Sequence, residues 1–401
     1  METFDVQSAA YHRNPYPTLA RLLAAGPMVA WKMPLLGQVH WATSFESASD
    51  FLKGADRFAA DGRNAGKRNS LGIRWVPRTL RILMQNMLLM DEPDHRRLRK
   101  LVDAPFHRGW IDAYRPTIAG IADRLLDEIQ SRGERDIVPG FARALPLEVI
   151  CEILGLQGDR RQFMAWMANF SGAMNAWTLI RVIPALRKMM AYLRREIDRV
   201  QVEQPPCLLT EIVNAEADGD RMTDDEMMSM VVLLFAAGHE TTTHLLSSGI
   251  HALLTHRDQL ELLKADASRA PQAVEEILRY CSPVQATKPR MARRDMEFHG
   301  TRLKRGDRVM AMLASANVDP AAFDDPLRFD ILRDGKNRHV GFGGGLHLCL
   351  GIHLARAEAQ IALERLFARW PDVRLAVPDD ELRWQPRLGM RGLASLPLAW
   401  S

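Results

Sequence analysis

The 401-residue sequence predicts a mostly α-helical fold with a minor β region. Three observations support that class. Helical periodicity dominates residues 94–199. Thr223 followed three residues later by Glu226 forms a capping box that opens a helical pattern reaching about residue 256. That helix would run roughly 45–50 Å at 1.5 Å per residue. Strand-like alternation is confined to short stretches near 27–45, 287–312 and 382–400. No repeat, low-complexity linker or composition break intervenes, so residues 1–401 are expected to form one domain carrying a small β-rich part.

Each element has its own signal. "PYPTLARLLAAGP" is a short helix stopped by Gly26-Pro27, and "MVAWKMPLLGQVHWATSF" is a hairpin of β-branched and aromatic residues around a glycine turn. After the central helix, "MEFHGTRLKRGDRVMAML" alternates like strand, whereas "NVDPAAFDDPLRFDILRDGKNRH" is irregular and rich in Pro, Asp and Gly. A last helix over 352–369 precedes short C-terminal strands.

Composition narrows the function. The chain is 47% hydrophobic and 25% charged, ordinary for a globular protein, and its net charge of +4 is too mild to argue for nucleic acid. Four scattered cysteines without a CxxC pair suit a reducing compartment. The start lacks a signal-peptide pattern, and the longest apolar run, 227–238, falls short of the ~20 residues that span a bilayer. A cytoplasmic, unanchored protein is expected.

Residues 239–244, HETTTH, sit one residue from the HExxH zinc signature. Spacing rules that chemistry out. His239 and His244 are five apart, about 140° around a helix, and cannot share an ion. What distinguishes the stretch is what precedes it. Ala236, Ala237 and Gly238 open room on one helix face, and the threonines that follow can compete for backbone carbonyls. Tight packing against a neighbour would explain the small residues equally well.

The segment 339–356, HVGFGGGLHLCLGIHLAR, is more specific. Its glycines permit close backbone approach, yet neither GxGxxG nor GxxxxGK[ST] fits. His347, Cys349 and His353 would supply a zinc site with only three ligands. A buried inert thiol explains neither the glycines nor the place just before a helix. A thiolate there meets unpaired N–H groups and the positive end of the helix dipole, which lower its pKa and suit it to be an axial ligand of haem iron.

Phe342 to Gly351 match, position for position, the FGxGxHxCxG haem-binding signature, and the sequence here resembles the cytochrome P450 family. The resemblance covers nearly the whole chain from about residue 14. It implies the P450 fold, with haem b between the long central helix and the helix after the cysteine loop, and Cys349 as the metal ligand. Gly238 would then give dioxygen room, while Thr241 and Glu240 form the proton-delivery pair that oxygen activation requires. Ala237 would face the substrate. Phe342 and Gly343 belong to the haem loop. His95 and Arg99 in "DEPDHRRLR" match the propionate-binding His-xxx-Arg, and Arg290 and His347 match the remaining propionate contacts. Glu276 and Arg279 in "EEILRY" match the ExxR pair, and Arg333 would complete a structural Glu–Arg–Arg cluster.

The resemblance also implies a monooxygenase that oxidises a mostly apolar small organic substrate. No length remains for a fused reductase, so electrons would come from a separate ferredoxin-type protein and its NAD(P)H reductase. The protein is expected to be a monomer, and Arg97, Lys100 and Arg356 are candidates for the donor's docking face. The alternative is a haem-binding sensor or carrier-protein-recruiting module without turnover. Substrate contacts are expected at Val284, Thr287 and Met390. They are also expected on the apolar stripe Phe163, Met167, Phe170, Met174 and Trp177, although ordinary core packing explains that stripe as well. Between residues 62 and 90 lie six basic residues and no acid. That segment resembles the loop over the pocket entrance; a solvated loop is the plainer reading, an anionic or carrier-bound substrate the bolder one.

Overall fold

The computed structural model describes residues 4–33, 37–67, 86–103, 106–158, 162, 166, 176–217, 219–333 and 339–401, with the side chains of 176–183 left aside. Phe163, Met167, Phe170, Met174 and the Trp177 side chain therefore lie outside the described residues, as does much of the basic 62–90 segment. Backbone packing divides the chain into two compact units. One comprises Met1–Leu71, Arg115–Leu145 and Thr241–Ser401; the other comprises Gly72–Tyr114 and Pro146–Glu240.

The first unit carries a five-stranded sheet. Its strands are β1 (Met28–Met33), β2 (Gly37–Ala42), β3 (Phe58–Ala59), β4 (Arg290–Ala292) and, after the small hairpin of β5 (Met296–Phe298) and β6 (Thr301–Leu303), β7 (Arg308–Ala311). The spatial order is β1-β2-β7-β4-β3. The expected hairpin forms, pairing Met28 with Ala42 and Met33 with Gly37. β2 then pairs in parallel with β7 (Val39 with Arg308), a partner some 270 residues away that no local pattern identifies.

The helix Phe45–Lys53 covers this sheet. Ser44 caps it, its hydroxyl accepting the Ser47 N–H at 3.1 Å. Phe51 and Leu52 are buried from its inner face, and Phe51 packs on Phe58 at 4.9 Å between ring centres. Truncating so buried an aromatic costs about 3–5 kcal/mol. This helix matters for function because its C-terminal turn forms the floor under the glycine loop.

In the second unit, Gly155 (φ +66°) lies so close to Cys207 that a Cβ would stand 2.6 Å from its sulfur. Arg199, on the long helix Ala176–Glu203, donates to the Gly155 carbonyl at 2.7 Å, and Glu196 accepts the Gln157 N–H at 2.8 Å. A loop is thereby fastened to the unit's longest helix. The central helix spans Asp224–Thr255, and its expected capping box is present. Glu226 accepts the Thr223 N–H at 2.9 Å, and Thr223 Oγ1 accepts the Glu226 N–H at 3.3 Å. No helix among the described residues is long and apolar enough to cross a membrane.

Candidate active site

The middle of the central helix is bared where its neighbours are not. Residues 242–250 are buried, but Ala237 is exposed and Gly238, Glu240 and Thr241 are half-buried. Positions 237, 238 and 241 are related by i, i+1 and i+4, so they share one face. Beside Gly238 no described residue lies within 4 Å of where a Cβ would be. His239 turns away and is held by its own helix, with Nδ1 2.8 Å from the Phe235 carbonyl. His244 packs on Gly392, whose added Cβ would stand 1.9 Å from Nδ1. The two histidines of HETTTH thus face different surroundings.

The glycine loop owes its residues to the helix beneath it. Gly343 and Gly345 have φ of +72° and +61°, a region that disfavours side chains. A Cβ on Gly345 would lie 2.3 Å from the Leu52 carbonyl oxygen, inside any permitted contact. The same oxygen accepts from Arg290 Nη1 at 3.3 Å, and the guanidinium sits over the Phe51 ring. Arg290 is therefore buried against the turn that supports the loop. Within the loop, the Gly343 N–H donates to Val340 O at 2.8 Å and the Cys349 N–H to Phe342 O at 3.1 Å. Arg356 stacks on the Phe342 ring at 5.0 Å. Cys151, Cys207 and Cys281 are buried; Cys349 alone of the four is partly accessible. It stands three residues before the helix Ile352–Arg369, with His347 in the short turn Gly345–His347. Burial pushes the Cys281 thiol up to about 12, which keeps it protonated and inert.

Glu276, Arg279 and Arg333 meet in one hydrogen-bonded cluster. Glu276, on the helix Ala270–Tyr280, accepts from Arg279 Nη2 at 2.7 Å and Nε at 2.8 Å, and Arg333 Nε lies 3.3 Å away. Arg279 continues to the carbonyls of Asn317 and Pro326 at 3.0 and 2.8 Å. Arg333 binds those of Asp325 and Arg328 at 3.0 and 2.7 Å. Irregular chain has carbonyls without ladder partners, and two guanidinium forks supply the donors.

Three residues were missed in the sequence. Asn317 accepts the Val340 N–H at 2.8 Å and donates to Ser282 Oγ at 3.0 Å, joining the cluster to the start of the haem-loop segment. Glu275 receives Arg356 at 2.7 and 2.8 Å and His339 at 3.1 Å. Burial would raise its pKa, but the bonds from His339 and Arg356 outweigh burial and hold it at about 2. Glu358 is buried on the cysteine helix, where burial drives its pKa up to about 8, opposed only by a hydrogen bond from Thr242. A Glu on an amphipathic helix normally reads as solvated. The only available signal was its place among the apolar positions Leu354, Ile361 and Leu366.

Two of the three cations expected on a docking face are engaged elsewhere. Arg356 is held by Glu275, and Arg97 is paired with Asp220 at 3.0 Å and with Glu226. In the second unit, His95 is buried on the helix Asp94–Asp103 and Arg99, one turn on, reaches Asp103 at 2.6 Å. Among the substrate candidates, Val284 and Met390 form a β-bridge. Thr287 uses its hydroxyl to accept the Ala311 N–H at 3.0 Å, so that polar group serves the sheet.

These residues fit a haem. A partly accessible thiol precedes a helix, a bared helix face bears an alcohol beside a carboxylate, and the buried Arg290 sits against the turn that supports the loop. A mostly helical chain so equipped falls in the class of haem-thiolate oxidoreductases. The chain belongs to the cytochrome P450 family. The family model described as Cytochrome P450 matches residues 186–371. The chain is 36% identical to the polyketide biosynthesis cytochrome P450 PksS of Bacillus subtilis (strain 168), over 99% of this chain and 98% of that one. It is 38% identical to the cytochrome P450 monooxygenase PikC of Streptomyces venezuelae, covering 96% and 91%. The solved structure of PksS superimposes with a TM-score of 0.91 over 100% of both chains at 35% identity. A structure of P450BioI in complex with a hexadec-9Z-enoic acid ligated acyl carrier protein gives 0.86 at 32% identity, covering 98% and 99%. The expected P450 fold is therefore present. The protein binds haem through a cysteine thiolate and is an oxygen-incorporating oxidoreductase.

Proposed function

We propose that Cys349 is the axial ligand and that the protein inserts one oxygen atom of dioxygen into a mostly apolar small organic substrate. The observation that carries this reading is the contrast among the cysteines: only Cys349 is accessible, and it ends a loop built to approach something closely. Haem held by a thiolate supplies the activation of dioxygen. Gly238 leaves room beside the helix, and Ala237 offers substrate a small apolar surface. Thr241 Oγ1 holds a proton at the reacting site, and the Glu240 carboxyl replaces it from solvent. His95, Arg99, Arg290 and His347 neutralise the propionates, and Glu276, Arg279 and Arg333 keep the loop's support rigid. Phe342 and Gly343 shape the loop around the sulfur.

Electrons come from a separate ferredoxin-type protein with its NAD(P)H reductase, in the cytoplasm, to a single 1–401 catalytic chain acting as a monomer. Relatives named for polyketide biosynthesis and for an acyl-carrier complex support a natural-product-sized apolar substrate, free or carrier-bound. Thr241→Ala tests the reading through product formed per NAD(P)H consumed. Coupling should fall about tenfold or more, the lower range for one general acid–base group. Unchanged coupling would favour the sensor or recruiting module without turnover.

A further inference from the structure

One carboxylate holds the cysteine loop at both ends. Glu275 sits on the helix Ala270–Tyr280, immediately before the Glu276 that joins Arg279 and Arg333. His339, ten residues before Cys349, places Nε2 3.1 Å from Glu275 Oε2. Arg356, seven residues after Cys349, donates to both Glu275 oxygens, from Nε at 2.7 Å and from Nη2 at 2.8 Å. Ordinary surface ion pairs do little, because both partners are solvated and mobile. This carboxylate is largely covered and is shared by two donors that bracket the loop.

The two arms act on the loop in different ways. The Gly341 N–H donates to His339 Nδ1 at 3.1 Å, which leaves Nε2 to carry the ring proton and donate it to Glu275. A Cβ on Gly341 would lie 3.3 Å from the Leu278 carbonyl oxygen, so the start of the loop lies directly on the helix that bears Glu275. On the other arm, the Arg356 guanidinium stands 5.0 Å from the centre of the Phe342 ring, and the Phe342 carbonyl accepts the Cys349 N–H at 3.1 Å. A planar guanidinium held by two parallel bonds resists turning away from the ring that it covers. Glu275 thus orients Arg356, Arg356 packs Phe342, and Phe342 fixes the backbone at position 349.

We propose that Glu275 is a positioning residue for the thiolate, setting through Arg356 and His339 how firmly the Cys349 sulfur is held as a ligand. This rests on the assignment of Cys349 made above. Groups that orient a metal ligand from behind typically change the site's properties by ten- to a hundredfold when removed, and hydrogen bonding around the sulfur tunes the potential. The haem-loaded full chain tests it. Glu275→Gln keeps the shape of the side chain and one acceptor oxygen but removes the charge. Below the urea midpoints, its reduced carbonyl adduct should lose the thiolate-type band about tenfold faster than wild type, and its ferric–ferrous potential should rise. Arg356→Lys keeps the charge but loses the flat stack on Phe342, and should move both readouts the same way by less. Leu193→Ala, a core truncation in the second unit, reports general destabilisation and should move neither. The proposal is overturned if Glu275→Gln matches wild type or Leu193→Ala. It is equally overturned if Arg356→Lys leaves both readouts unmoved, since charge alone then accounts for the first variant. If Glu275→Gln retains no haem, Arg356→Lys decides by the same two readouts. A wild type without the thiolate-type band overturns the ligand assignment itself.

Discussion

At the scale of single residues, the proposed ligand assignment makes position 349 decide the electronic character of the site. Replacing sulfur by an imidazole keeps a ligand but removes the negative charge that pushes electron density toward the opposite side of the iron. Cys349→His should therefore retain some haem while losing the thiolate-type spectrum of the reduced carbonyl adduct; persistence of that spectrum would point to another ligand. Cys349 stood out as a candidate because its loop follows a spacing pattern that chance rarely produces, whereas Thr241 and the Glu276–Arg279 pair gained weight only from the resemblance to the family. Glu358 did not stand out. Its character comes from burial on both sides of its helix and from Thr242, more than a hundred residues earlier.

Elements carry the next set of consequences. The glycine loop is conformationally demanding only because the turn at Leu52 lies beneath it. Gly345→Ala faces a left-handed φ worth about 1–2 kcal/mol, and in addition a Cβ aimed at a carbonyl oxygen that cannot move without disturbing Arg290. Total destabilisation should exceed about 2 kcal/mol and be accompanied by faster haem loss, measurable by urea denaturation and hemin transfer. Gly344, extended and with its nearest neighbour a Leu52 side chain at 3.4 Å, should tolerate alanine better. Glu276→Ala leaves the buried Arg279 guanidinium without its carboxylate, a change that typically costs 3–5 kcal/mol. The same denaturation experiment checks it, and a loss under about 1 kcal/mol would show that backbone carbonyls alone satisfy Arg279. The hairpin, the capping box and the cysteine helix were readable from local pattern. The β2–β7 pairing was not, since it joins segments by contact alone.

Across the whole molecule, two carboxylates, the buried Glu358 and the half-buried Glu275, tilt stability in opposite directions with pH. Glu358 rises from an ordinary 4.5 to about 8. Between those values the unfolded chain has released the proton that the folded chain keeps, so stability falls as pH rises, by at most about 1.4 kcal/mol per pH unit. Glu358→Gln should flatten the pH dependence of urea midpoints between pH 5 and 8, values chosen to lie within that window. An identical slope in the variant would mean that Glu358 is ionised in the folded protein. Glu275 acts below that range. Held at about 2, it stabilises the fold above 4.5 and loses that contribution as pH falls toward 2.

The sequence by itself determined the family, the helical class, the cysteine loop and the charged cluster, because covalent spacing along a helix or turn dictates which side chains can act together. Only the tertiary structure decided which charges are free to act. Arg97 and Arg356 read alike as surface cations yet are consumed by carboxylates. The physical reason is that desolvation and ion pairing depend on what distant segments place around a group, and no local pattern encodes that.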